Sequence, residues 1–98
     1  MNDADPLLTA LRNPLRAEAF RIIARGSTSP AMIAAELDEP IGNVAYHVRV
    51  LDRLGLIRLH RTKPRRGALE HFYVVADKDR PVLAGKLREL ADELDGGA

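Results

Sequence analysis

At 98 residues the chain is sized for one domain and buries too little surface to carry both a deep catalytic cleft and a separate regulatory unit. An apolar share of 46% with only 4% aromatics describes a core of Leu, Ile, Val and Ala, which favours a mainly helical domain, and 30% charged residues favour solubility. The absence of cysteine excludes disulfides, thiolate metal sites and thiol redox sensing, no run of about 18 apolar residues suggests a membrane span, and the net charge of +1 conceals a strongly uneven distribution. Met1 to Pro40 holds four Lys and Arg against six Asp and Glu, Ile41 to Arg66 seven against one, and Gly67 to Ala98 four against seven. A basic centre between acidic ends suits a protein that presents one face to phosphates. Asp3 and Asp5 stand where a signal peptide would carry basic residues, so a cytoplasmic protein without membrane contact is expected.

In chain order, helix starts are marked by a capping residue followed by proline: Asp5-Pro6, Asn13-Pro14, Ser29-Pro30 and, with the weakest cap, Glu39-Pro40. The spacing predicts N-terminal helices within 6–25, a short one from Pro6 to about Arg12 and a longer one from Pro14 to Arg25. Gly26 is expected to close the longer helix in the left-handed conformation, as Gly55 closes the helix from Pro40 to Leu54. Leu15, Ala19, Ile22 and Ile23 form the core face of the second helix, and Met32, Ile33 and Leu37 that of the third. Only Asp38-Glu39 separates the third helix from the fourth, so residues 30–54 read as a helix-turn-helix pair.

Residues 56–75 change period and read as a β-hairpin, with strands Leu56 to Arg61 and Leu69 to Val75 around a Thr62 to Ala68 loop. Residues 79–95 return to helix, with Leu83, Leu87, Leu90 and Leu94 as an apolar stripe for dimerisation, and Leu7, Leu8 and Leu11 offer a second stripe. The fold class is therefore mainly α with a β-hairpin: a single winged helix-turn-helix domain of about five helices and a two-stranded wing.

On the fourth helix a rotation of about 100° per residue puts Ile41, Val44, Val48 and Leu51 toward the core. The opposite side collects Gly42, Tyr46, Arg49, Val50 and Arg53, with Asn43 at its edge. Gly42 leaves room for close approach, and Asn43, Tyr46 and Arg49 can hydrogen-bond base edges or phosphates. Such a face also suits an ordinary solvated helix. The next segment tilts the balance, because Arg61, Lys63, Arg65 and Arg66 concentrate positive charge at the hairpin, where a tip can straddle a phosphate backbone or enter a minor groove. Thr28 and Ser29 are assigned to phosphate. His47, at the border of the core face, is a hydrogen-bonded packing residue within reach of a phosphate.

The segments Asn13-Pro14-Leu15-Arg16, Ile33-Ala34-Ala35-Glu36-Leu37, Val44-Ala45-Tyr46-His47-Val48-Arg49-Val50-Leu51 with Leu54-Gly55-Leu56-Ile57, and Arg66-Gly67-Ala68-Leu69-Glu70-His71-Phe72-Tyr73 resemble the ArsR-type winged helix-turn-helix regulators, over roughly Asn13 to Val75. The resemblance implies a homodimeric repressor of transcription that binds double-stranded DNA, dimerises through its first and last helices and is relieved by an inducer or protein partner. It departs at Ala45, where the family commonly carries serine or threonine. The family's metal sites do not carry over, since cysteine is absent and 79–95 has no histidine. His60 and His71, if opposite each other on the hairpin, would supply two of the three or four ligands zinc takes, so neither metal nor other cofactor is expected. No phosphate-cradling glycine loop, G-x-S-x-G or H-E-x-x-H is present, which argues against an enzyme. The competing reading is a winged-helix module that uses its basic hairpin on an acidic protein and does not bind DNA.

Overall fold

The second and third helices begin where a side chain replaces a missing backbone partner. Asn13 Oδ1 accepts from the Arg16 N–H at 3.0 Å and Ser29 Oγ from the Met32 N–H at 3.2 Å, each followed by proline in the first turn, where its lack of an N–H costs nothing. The computed structural model describes residues 6–76, which form α1 (Pro6–Leu11), α2 (Pro14–Arg25), α3 (Pro30–Leu37), α4 (Ile41–Arg53), β1 (Ile57–Arg65) and β2 (Ala68–Val75). These are four helices; the expected helix over 79–95, with Leu83, Leu87, Leu90 and Leu94, lies outside the described residues.

Helix ends depart from expectation at Gly26 and at Pro40. Gly26 closes α2 in nearly extended backbone (φ 159°, ψ 173°), not in the left-handed region. Asp38 closes α3 with φ 54° and ψ 47°, a conformation that a short polar side chain tolerates, and this makes the abrupt turn into α4. Pro40, not Glu39, caps α4, and it does so without a side-chain hydrogen bond. The C-terminus of α4 is as expected: Gly55 (φ 76°) lets the Leu56 N–H reach the Leu51 carbonyl at 3.1 Å and the Gly55 N–H that of Asp52 at 3.0 Å. Leu51 and Leu56 are both buried, completing the paired bonds and apolar contact of a Schellman motif.

The core collects Leu7, Ala10 and Leu11 of α1, Ala19, Phe20, Ile22 and Ile23 of α2, Ile33 and Ala34 of α3, and Val44, Val48 and Leu51 of α4, with Leu56, Ile57 and Val75 closing it beneath the hairpin. Leu15 and Leu37 pack against its edge. Two expected core residues are outside: Met32 is 50% exposed because Ile33 and Ala34 define the inner side of α3 and Met32 projects away from both, and Ile41 is 56% exposed because α4 begins beyond the core's rim. Phe20, absent from the expected stripe, is fully buried. Leu7 and Leu11 are buried in their own chain, so the expected α1 dimer stripe retains only the half-buried Leu8.

The hairpin is longer and tighter than expected. Its strands pair from Ile57↔Val75 to Arg65↔Ala68, and the turn consists of Arg66 and Gly67 alone, with φ 49° and 80°. Positive φ at both central residues is the requirement of a type I′ turn, whose twist matches that of the flanking strands. Arg61, Lys63 and Arg65 therefore belong to β1, and only Arg66 stands at the tip. A bulge at His60 shifts the register between Leu59↔Tyr73 and Arg61↔Phe72. Cross-strand partners share a face, so the extra residue places Arg58, Arg61, Lys63 and Arg65 on one face of the hairpin. Thr28 bridges to β2, its N–H donating to the Tyr73 carbonyl at 3.2 Å and the Tyr73 N–H returning to the Thr28 carbonyl at 2.8 Å.

Ser29 is fully buried and both caps α3 and donates to Glu70 at 2.5 Å. Ser29→Ala is expected to cost about 1–2 kcal/mol, and each kcal/mol lowers the melting midpoint of a domain this size by roughly 4–8 °C. Asn13→Ala, which removes a cap alone, should cost about 1 kcal/mol. Thermal and urea unfolding of both variants check the ranking.

Candidate nucleic-acid interface

Burial of Val44, Val48 and Leu51 fixes the rotation of α4 and turns Gly42, Asn43, Tyr46, Arg49 and Arg53 outward, all exposed. Arg16 on α2 holds the helix from behind: its Nε donates to His47 Nδ1 at 3.1 Å, which leaves the imidazole proton on Nε2. Tyr46 meets the His47 ring edge-on with centroids 5.1 Å apart. His47 is half-buried and acts as the expected packing residue.

Across from α4, the hairpin presents Arg61, Lys63, Arg65 and Arg66, all exposed. Arg61 lies over the Phe72 ring at 4.3 Å, a cation–π contact that holds it near the base of the wing. Arg65 Nη1 donates to Glu70 Oε1 at 3.5 Å, and Lys63 is the cross-strand partner of Glu70. Glu70 was not among the expected site residues. It accepts from Ser29 with its other oxygen, so one carboxylate joins the start of α3 to the wing. The Ser29 hydrogen bond holds the Glu70 carboxyl below its ordinary range, burial opposes this, and Arg65 and Lys63 add to the lowering.

A groove of about 620 Å³ runs between the start of α3, the wing side of α4 and β2. Ile41, Ala45 and Leu69 line it with apolar surface, and it brings together Arg49 of α4 with Arg65 and Arg66 of the wing. Other expected members are placed elsewhere. Thr28 and Ser29 are buried, Thr28 in its backbone bridge to Tyr73 and Ser29 between Met32 and Glu70, so neither side chain lies on the surface assigned to phosphate. His60 and His71 are not opposite: His71 pairs with Thr62, and His60 is the bulge residue. Among the described residues no three His, Cys, Asp or Glu side chains come together to hold a metal ion, and no helix is long and apolar enough to cross a membrane.

A sharply turned helix pair whose second helix faces outward, followed by a hairpin along the same face, defines a winged helix-turn-helix domain. The chain belongs to the helix-turn-helix domain family, whose family model matches residues 11–60. No curated protein sequence matches it. Among solved structures it is similar to the homodimeric winged helix-turn-helix DNA-binding domain of Mb0332 from Mycobacterium bovis, a possible ArsR-family transcriptional regulator, with TM-score 0.72 and 22% identity over 90% of this chain and 77% of that one. It is also similar to reduced HlyU from Vibrio cholerae (TM-score 0.69, 21% identity, 89% and 86% covered) and to NolR from Sinorhizobium fredii (0.65, 17%, 89% and 82%). At these identities the likeness is one of fold.

Burial first, and the Arg16 charge second, hold the His47 pKa below the ordinary 6.5. On acidification the unfolded chain takes up this proton before the folded one does. The stabilising contribution is thus complete above about pH 6.5 and is lost as pH falls through the lower folded value. An NMR titration should place the His47 midpoint below 6.5, and His47→Gln should flatten the fall in unfolding free energy just below that pH.

Proposed function

We propose that the protein is a sequence-specific double-stranded DNA-binding regulator of transcription, a homodimeric repressor of the ArsR type acting in the cytoplasm, with no catalytic step and no cofactor. The observation that carries this reading is the convergence of Arg49 from α4 with Arg65 and Arg66 from the wing around one groove. Two elements distant in sequence aim the same charge at the same space, as a duplex backbone passing between them requires. In this reading α4 enters the major groove, where Asn43, Tyr46 and Arg49 meet base edges, Gly42 permits close approach and Arg53 meets the flanking backbone. His47 acts from behind the contact surface by fixing the helix. Arg61, Lys63, Arg65 and Arg66 supply the electrostatic contact to the flanking backbone or minor groove. Membership in a helix-turn-helix family and the fold shared with DNA-binding regulators support it.

Dimerisation is proposed through Leu8 and the stripe of Leu83, Leu87, Leu90 and Leu94, in line with the homodimeric neighbour. Two recognition helices would then be presented about 34 Å apart to successive major grooves. Light scattering at micromolar concentration is expected to give the dimer mass, and a monomer would remove the two-half-site arrangement. The regulatory signal is assigned to an inducer or protein partner that disfavours the DNA-binding form.

Two sets of variants test the division of labour. Arg65→Ala with Arg66→Ala should weaken binding to operator and unrelated duplex alike and reduce the salt slope by about 0.9 for each phosphate no longer neutralised. Asn43→Ala or Arg49→Ala should cost about 1–3 kcal/mol on operator and much less on unrelated DNA. Competition binding at several salt concentrations measures both. If the salt slope and specificity stay unchanged in every variant, the hairpin serves an acidic protein partner instead.

A further inference from the structure

Beside the polar groups of the interface, the wing-side end of α4 is apolar, and nothing in its packing explains why. Ile41 is the first residue of α4 and 56% exposed, and Leu69 on the facing strand, equally exposed, leaves it uncovered. Ala45 follows just over one turn later in the same groove lining, about 6 Å along the helix axis. Beside Ile41, a Cβ built on Gly42 would meet nothing within 4 Å, so the helix backbone there is bare and can seat close to a base edge. N-terminal residues of a recognition helix are the ones that meet base edges. A branched aliphatic side chain at that place offers no hydrogen bond, and pressed against the donors and acceptors of guanine, adenine or cytosine it would strip them of water without replacing it. One base presents an apolar group in the major groove: thymine, through its 5-methyl.

Resting on the DNA-binding reading above, we propose that Ile41, backed by Ala45, is a specificity-determining residue that selects thymine in each half-site by contact with its 5-methyl group. Arg65 and Arg66 at the groove rim hold the backbone while Ile41 supplies discrimination without a hydrogen bond. The absence of a hydroxyl at Ala45 belongs to the same design, since a polar group there would compete for the methyl's place.

The test uses the full chain and a random duplex pool. After selection, each thymine of the enriched duplex is replaced singly by deoxyuridine, which removes the 5-methyl and leaves sugar, phosphate and pairing intact. At one or more thymines per half-site this exchange should weaken binding about fourfold, the equivalent of one buried methyl group of about 0.8 kcal/mol. Ile41→Ala should bind thymine and deoxyuridine duplexes equally; Ile41 is exposed, so a thermal midpoint like that of the parent chain confirms that the variant folds. Indifference to deoxyuridine at every position overturns the inference, because contact with the deoxyribose alone would give that result. Sensitivity that persists in Ile41→Ala overturns it too. A pool from which no duplex is enriched overturns the DNA-binding reading itself, and this inference with it.

Discussion

Ser29 uses its hydroxyl twice, accepting from the first turn of α3 and donating to Glu70 on β2, while Thr28 beside it exchanges a pair of backbone bonds with Tyr73. A two-stranded hairpin has little stability of its own and no reason to hold a fixed angle to a neighbouring helix. Here its angle is set at the point where the chain enters the helix-turn-helix unit. The distance between Arg49 and the wing arginines follows from that anchor, because α3 packs on α4 and β2 is fastened to the start of α3. Burial makes the bond consequential: without a partner the Glu70 carboxylate would lose its main compensation for leaving water.

Charge is distributed by task along the same face. The Arg65–Glu70 pair has an exposed arginine, and pairs of that kind add little stability, so its effect is to aim the guanidinium. Arg61 is fixed differently, by the Phe72 ring. On the opposite flank Arg16 engages His47 and leaves α4 gripped between α2 and α3. Arg65, Arg61 and Arg16 are thus oriented by a carboxylate, an aromatic ring and an imidazole in turn, and in the proposed role such holding would reduce the side-chain entropy lost by the wing pair when a phosphate arrives.

Features set by local chemistry were legible in the sequence. Asn13-Pro14 and Ser29-Pro30 begin helices because capping needs only neighbours in the chain, and Gly55 ends α4 for the same reason. The outward face of α4 followed from its period. The features that were not legible depend on contacts between distant segments. Ser29 reads as a cap and as a surface hydroxyl equally well until β2 covers it, and Glu70 looks like an incidental acid in a basic run until it meets Ser29. Ile41 fits the periodicity of the core face yet lies outside, because period gives an angle around the helix and says nothing about where along the axis the core stops. The dipeptide Arg66-Gly67 carried the signal for a tight turn, hidden by Pro64, which suggested a loop but occupies a strand position paired with Leu69.

The extra residue at His60 has a consequence for how such a wing can change. Strict alternation from Ile57 and Leu59 would carry Arg61, Lys63 and Arg65 onto the same side as those aliphatic residues; one inserted residue sends them to the other side with Arg58. The side on which the hairpin is cationic is therefore decided by how the strand absorbs His60 and not by the identity of any basic residue. Deleting the His60 codon would remove the bulge and leave Arg61, Lys63 and Arg65 beside Arg58, whereas pairing His60 into the ladder would carry all three to the side of Ile57 and Leu59. A change of register with no change of sequence is thus the abrupt route by which this wing could turn its charge over.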